Sequence, residues 1–272
     1  MRSWIDGARG TRIDWRDRGL QYGDGLFETM RVRAGRVRLL DAHLGRLCAG
    51  AQRLEIALPS IVRLRRELAA AAAGETDAVL KLIVTRGRGE RGYRPTGRER
   101  ATRILSRWPP SPALGAGTPI TVRICRTRIG IAPALAGLKT LNRLESVLAR
   151  AEWRDPRIAE GLMLDVEGHL VCGTMSNLFV RHGSVLTTPL VDRCGVAGVM
   201  RGHVLGEARA LGLRPAERRV GLEDLESADE AFITNAIAGP VPIGLIRHGR
   251  ERWRPRATDA ARRLRERLEA MR

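Results

Sequence analysis

The sequence predicts an α+β protein built as two domains, and three observations lead there. Strand-like alternation and helix-like periodicity are mixed along the whole chain, with no block of one kind. A stretch rich in Pro and Gly, 109–119, separates two such mixed halves. At 272 residues the chain is long enough for two ordinary domains, each with its own core. The expected division is a smaller N-terminal α/β domain over 1–110, a linker over 111–119 and a larger C-terminal domain over 120–272.

Each element has its own signal. Short strands and turns open the chain, with β-type residues over 26–32 and a hairpin turn at Ala34-Gly35 leading into 37–40. Asp41 is placed to cap a helix whose stripe is Leu44, Leu47, Ala51 and Leu54, with His43 and Arg46 facing one way. A second helix follows Pro59 and runs through the alanines to Gly74. A strand over 78–85, a Gly/Arg loop over 86–93 and a strand over 102–108 complete the first half. Beyond the linker come a strand over 120–125 and a helix over 140–153, the latter with Asn142 and Glu145 spaced like a capping box. Hairpins are expected around Glu167-Gly168 and His182-Gly183. A glycine turn at 195–198 leads into a helix ending near 211, a strand over 231–234 ends at Asn235, and a charged helix runs over 257–271.

Composition narrows the chemistry. Hydrophobic residues make up 43% and charged residues 29%, a globular balance, and no apolar run approaches a membrane span or a secretory leader. Cys48, Cys125, Cys172 and Cys194 lie too far apart for a metal or disulfide framework, so no metal and a reduced, cytoplasmic setting are expected. The net charge of +18 raises nucleic acid as a partner. The arginines are dispersed, aromatics are only 4%, and no stacking strand or recognition helix is evident, so a small acidic substrate or a phosphate-bearing cofactor fits the charge better. Of the 48 basic residues, only Lys81 and Lys139 are lysines. A primary amine can lose its proton and form an imine with an aldehyde, which a guanidinium cannot. Lys139 falls just before the helix expected over 140–153, where the positive helix end favours a neutral amine. Lys81 falls within an alternating strand and reads as structural.

Five segments occur in order: Asp17-Arg18-Gly19 with Tyr22-Gly23-Asp24-Gly25-Leu26-Phe27-Glu28-Thr29; His43-Leu44-Gly45-Arg46-Leu47; Lys139-Thr140-Leu141-Asn142-Arg143-Leu144-Glu145; Ser176-Asn177-Leu178-Phe179; and Gly195-Val196-Ala197-Gly198-Val199-Met200-Arg201. Together they resemble the class-IV aminotransferase family, the pyridoxal phosphate enzymes of fold type IV, over about residues 4 to 245. Within the family the Lys139 segment, the 86–93 loop and 101–106 are most similar to its 4-amino-4-deoxychorismate lyases. The resemblance implies a two-domain fold with pyridoxal 5'-phosphate at the domain interface, a homodimer, and elimination of pyruvate to give 4-aminobenzoate. The alternatives are a branched-chain or D-amino acid aminotransferase, or a weakened cofactor-binding relative. Lys139 would hold the cofactor as an imine, and Arg46 and the backbone N–H groups of Val199 and Met200 would meet its phosphate. Asn235 is a candidate contact to cofactor or substrate, and Arg91 a candidate for a substrate carboxylate. His43 is expected to be structural.

Two positions depart from the family pattern. Arg143 stands where aminotransferases of the family commonly have a tyrosine. Cys172 stands five residues before Asn177, where the family usually has a glutamate that keeps the pyridine nitrogen protonated. A neutral thiol stabilises a pyridinium less than a carboxylate does, which favours an elimination driven by aromatisation over transamination. Glu167 or another acidic group is a candidate to compensate.

Overall fold

A computed structural model describes residues 2–110, 114 and 118–270. The fold is α+β, and the chain divides into two compact units: Met1–Ser111 with Leu138–Asn142, and Pro112–Gly137 with Arg143–Arg272. Within the expected linker, residues 111–113 and 115–117 lie outside the described residues. No helix among the described residues is long and apolar enough to cross a membrane.

The first unit holds β1 (Arg2–Ile5), β2 (Ala8–Arg9), α1 (Arg18–Tyr22), β3 (Gly25–Arg33), β4 (Arg36–Val37), α2 (Leu40–Arg53), α3 (Ile61–Ala72), β5 (Asp77–Thr85) and β6 (Thr102–Trp108). Its six strands form an antiparallel sheet in the order β2-β1-β6-β5-β3-β4. Alternation in β3 and β5 puts Met30, Val32, Leu80, Leu82 and Val84 on one buried face. Leu44, Leu47 and Ala51 of α2 and Leu64 and Leu68 of α3 close over it. Each leucine so buried contributes about 2 kcal/mol. The cap of helix α2 lies two residues before the expected one: Leu39, at φ 54°, is its N-cap without a side-chain bond, and Asp41 ion-pairs with Arg65 instead.

The second unit holds β7 (Ile120–Ile129), α4 (Leu144–Arg150), β8 (Ile158–Asp165), β9 (Leu170–Gly173), β10 (Asn177–His182), β11 (Val185–Pro189), α5 (Val199–Ala208), β12 (Arg214–Arg218), α6 (Leu222–Glu226), β13 (Glu230–Asn235), β14 (Gly239–His248), β15 (Glu251–Trp253) and α7 (Asp259–Ala270). Nine strands form one mixed sheet, β12-β11-β10-β13-β14-β7-β8-β9, with β15 on β14. Phe179 and Phe232, opposite each other on β10 and β13, stack with ring centroids 5.0 Å apart. Helices α5 and α7 pack on each other, α5 also on β13 and α7 on β14.

The helix expected over 140–153 is the main correction. Only Leu144–Arg150 is helical, its N-cap Arg143 makes no side-chain cap bond, and Glu145 accepts the Gly130 N–H at 2.9 Å instead of closing a capping box. Its apolar positions are not a core stripe: Leu144, Val147 and Leu148 are 60–76% exposed, and Ala149 is buried. Residues 138–142 go to the sheet of the first unit, so Lys139 lies on an extended segment and not at a helix start.

Candidate active site

In the first unit, Lys139 is fixed by backbone pairing with β3. The Phe27 N–H donates to the Lys139 carbonyl, the Leu141 N–H donates to the Gly25 carbonyl, both at 3.0 Å, and Leu26 bridges Thr140. Glycine is needed at 25, because a Cβ there would lie 2.6 Å from the Val84 carbonyl oxygen and 2.9 Å from a Leu141 methyl carbon. The half-buried Lys139 side chain then lies over Phe27, with Nζ 4.2 Å from the ring centroid. Lys81 Nζ lies 5.2 Å from the centre of the same ring. Both lysines of the chain therefore address one aromatic side chain. Lys81 lies on β5 as its alternating strand pattern predicts, yet it shares with Lys139 both the scarcity of lysine and the ring of Phe27.

Arg46 does not stand alone on α2. Its Nε and Nη2 grip the two oxygens of Glu28 at 2.8 and 2.5 Å, and His43 Nδ1 meets Glu28 Oε2 at 2.6 Å. Glu28 and His43 are each 1% exposed. Burial pushes the Glu28 carboxyl up, but the bonds from His43 and Arg46 prevail and hold it below its usual range. Arg46 thus arrives with its guanidinium plane set by a buried carboxylate, which no spacing rule signalled. Arg91 is exposed on the Gly/Arg loop, away from this cluster's hydrogen bonds. The loop is tied down by Arg18, which donates to the Gly92 and Tyr93 carbonyls at 3.0 and 2.7 Å.

In the second unit, α5 starts at Gly198, and no side chain caps the N–H groups of Val199 and Met200, both buried. Asn177 holds the turn before it, its amide Nδ2 donating to the Val196 carbonyl at 2.9 Å. A Cβ on Gly198 would lie 2.0 Å from Asn177 Oδ1, so only glycine lets the turn come this close. Asn235 spends its oxygen on its own hairpin, accepting from the N–H of Ile237 at 3.0 Å and of Ala238 at 2.8 Å. Its amide nitrogen alone is left for a ligand.

Cys172 pairs with Met163 across β8 and β9. Its thiol is pushed up to about 12 by burial, by the charge of Glu160 and by Cys194, with Arg143 pulling the other way, so it stays neutral at physiological pH. Neither nearby acid restores a free carboxylate. Glu167 is exposed and paired with Arg193. Glu160 is fully buried and already accepts from the N–H groups of Gly161, Thr174 and Met175 and the hydroxyls of Thr174 and Ser176, at 2.5–3.3 Å. Its job is to hold the 173–176 turn. The burial that neutralises Arg143's neighbour also lowers the pKa of Arg143.

The first unit offers a primary amine and an oriented guanidinium, and the second unit an uncapped helix start; each by itself is a kind of donor that an aldehyde-bearing phosphate monoester takes. The family model described as "Amino-transferase class IV" matches residues 25–246. This chain belongs to that family. Its enzymes depend on pyridoxal 5'-phosphate, and this chain is an enzyme of that kind. It is similar to an aminodeoxychorismate lyase of Vibrio harveyi, 34% identical over 245 residues, covering 89% of this chain and 90% of the relative. A putative branched-chain-amino-acid aminotransferase of Methanocaldococcus jannaschii is also 34% identical, over 84% of this chain and 80% of its own. Among solved structures, a 4-amino-4-deoxychorismate lyase from Pseudomonas aeruginosa matches with TM-score 0.91 and 46% identity, covering 99% of this chain and 98% of the other.

Proposed function

We propose that this protein is a 4-amino-4-deoxychorismate lyase, releasing pyruvate and leaving 4-aminobenzoate. The likeness to the Pseudomonas lyase, 46% over nearly the whole chain, supports this most strongly. The neutral thiol of Cys172 supports it against transamination.

Bound pyridoxal phosphate supplies an aldehyde for the substrate amine and a ring that draws electrons from the carbon bearing it. Lys139 would hold that group through its aldehyde, and Arg46 and the N–H groups of Val199 and Met200 would bind its phosphate. Asn177 keeps the start of α5 in place for this. Once the substrate amine has displaced it from the aldehyde, the freed Lys139 amine takes the proton from the ring carbon bearing nitrogen and returns it to the enolpyruvyl methylene as the C–O bond breaks. Loss of that bond makes the ring aromatic, and one base serves both transfers. Arg91 reaches a substrate carboxylate from its exposed loop.

A homodimer in the cytoplasm goes with this reading, and the exposed Leu144, Val147 and Leu148 of α4 are an apolar face for a second copy to cover. Incubation with 4-amino-4-deoxychorismate tests the activity: equal amounts of pyruvate and 4-aminobenzoate are expected. Keto acid formed only when a branched-chain or D-amino acid is supplied, without pyruvate release, would establish the aminotransferase instead.

A further inference from the structure

Thr234, the last residue but one of β13, is buried in a way that its own unit does not explain. It is 1% exposed, and its hydroxyl oxygen has no hydrogen-bond partner among the described residues. A buried hydroxyl without a partner is destabilising, so one kept near a strand end calls for a partner from outside the chain. Register tells where it faces. Thr234 is directly opposite Asn177 across β10 and β13, and paired residues project from the same face of a sheet. Asn177 projects to the Val196–Gly198 turn, where α5 begins. Glu230, four residues earlier and on the same face, accepts the N–H groups of Ala260 and Ala261 where α7 begins, so this face is the one the helices cover. The hydroxyl therefore lies on the helix-covered face at the end where the ten-residue α5 starts with uncapped N–H groups.

We propose that the Thr234 hydroxyl is a ligand of the phosphate monoester held at the start of α5. This rests on the cofactor reading above and adds a binding residue to it. The neighbouring Asn235, the candidate that the sequence favoured, has its oxygen committed to the hairpin, whereas Thr234 has a donor to give. A hydroxyl donating to a phosphate oxygen makes a charge-assisted bond, and the proton on Oγ needs no other acceptor once the ligand is there.

The test uses the whole chain without cofactor, as wild type, Thr234→Val and Thr234→Ser, titrated with pyridoxal phosphate and with pyridoxal, which lacks the phosphate. Borohydride-sensitive absorbance reports the imine in both titrations. Thr234→Val is expected to loosen pyridoxal phosphate about tenfold or more and leave pyridoxal unchanged. Thr234→Ser should return within about threefold of wild type. Since the hydroxyl is unmatched without ligand, cofactor-free Thr234→Val should melt no lower than wild type. Equal loosening of both aldehydes, or none of either, overturns the proposal. Wild type that forms no imine with pyridoxal phosphate overturns the cofactor reading along with it, so the two failures are told apart by the wild-type titration.

Discussion

Replacing Gly198 with Ala probes the phosphate end of the site with one carbon atom. At φ −65° and ψ 139° the backbone of Gly198 suits any residue, so the substitution carries no conformational penalty and its cost is steric. The new Cβ would stand 2.0 Å from Asn177 Oδ1 and 3.5 Å from Arg201 Cβ. Asn177 is 7% exposed and tied to the Val196 carbonyl at 2.9 Å, so it yields only by breaking that bond. Overpacking of this kind costs about 1–3 kcal/mol, and the lost hydrogen bond about 1 kcal/mol more. Urea unfolding of the cofactor-free protein should therefore show a loss of about 2–4 kcal/mol. Moving the start of α5 also misaims the N–H groups of Val199 and Met200, and pyridoxal phosphate should bind at least about tenfold more weakly. In an Asn177→Ala background the added methyl group has room, and the further cost should fall to about 1 kcal/mol or less. A Gly198→Ala protein within about 0.5 kcal/mol of wild type, with cofactor affinity unchanged, would refute the close approach and the role given to it.

Three other outcomes follow from the geometry. Glu28→Gln removes the charge of a buried carboxylate that accepts from His43 and from the part-buried guanidinium of Arg46, and should lower unfolding free energy by about 3 kcal/mol in a urea titration. Because Glu28 is held below its ordinary 4.5, its contribution is present in full above that value and is lost as pH falls through the folded-state value. Wild type should thus lose stability on acidification below about pH 4.5, and Glu28→Gln should show a shallower loss when urea midpoints are compared across that range. Arg91→Ala should raise KM for the lyase substrate by about three- to tenfold with kcat little changed, since an exposed guanidinium contributes uniform binding; a fall in kcat alone would point away from carboxylate recognition.

Much of the fold was legible because its signals are local. Alternation in β3 and β5 and the leucine stripe of α2 state their own burial. The segment around Lys139 misled for a physical reason: Leu141, Leu144 and Leu148 have helical spacing, yet residues 138–142 pair with β3, and Leu144 and Leu148 face solvent. Strand β14 was not anticipated, because Gly239, Pro240, Pro242 and Gly244 are turn residues by composition and are held in the sheet by β13 and β7. At the site, the scarcity of lysine could point to Lys139, whereas Arg46, one arginine among many, was marked only by the family resemblance of its motif. The Glu28 clamp, the second lysine over Phe27 and the orphan hydroxyl of Thr234 depend on partners far along the chain, and only tertiary structure brings those together.

Whether Lys139 and not Lys81 forms the imine is tested directly by labelling. Holoenzyme is reduced with borohydride, digested, and the pyridoxyl-labelled peptide is mapped. With only Lys81 and Lys139 as lysine side chains, and both near Phe27, the competition is a fair one. A single labelled peptide containing Lys139, lost in Lys139→Ala and kept in Lys81→Arg, is the predicted result. Label on Lys81, or no label on either lysine, would contradict it.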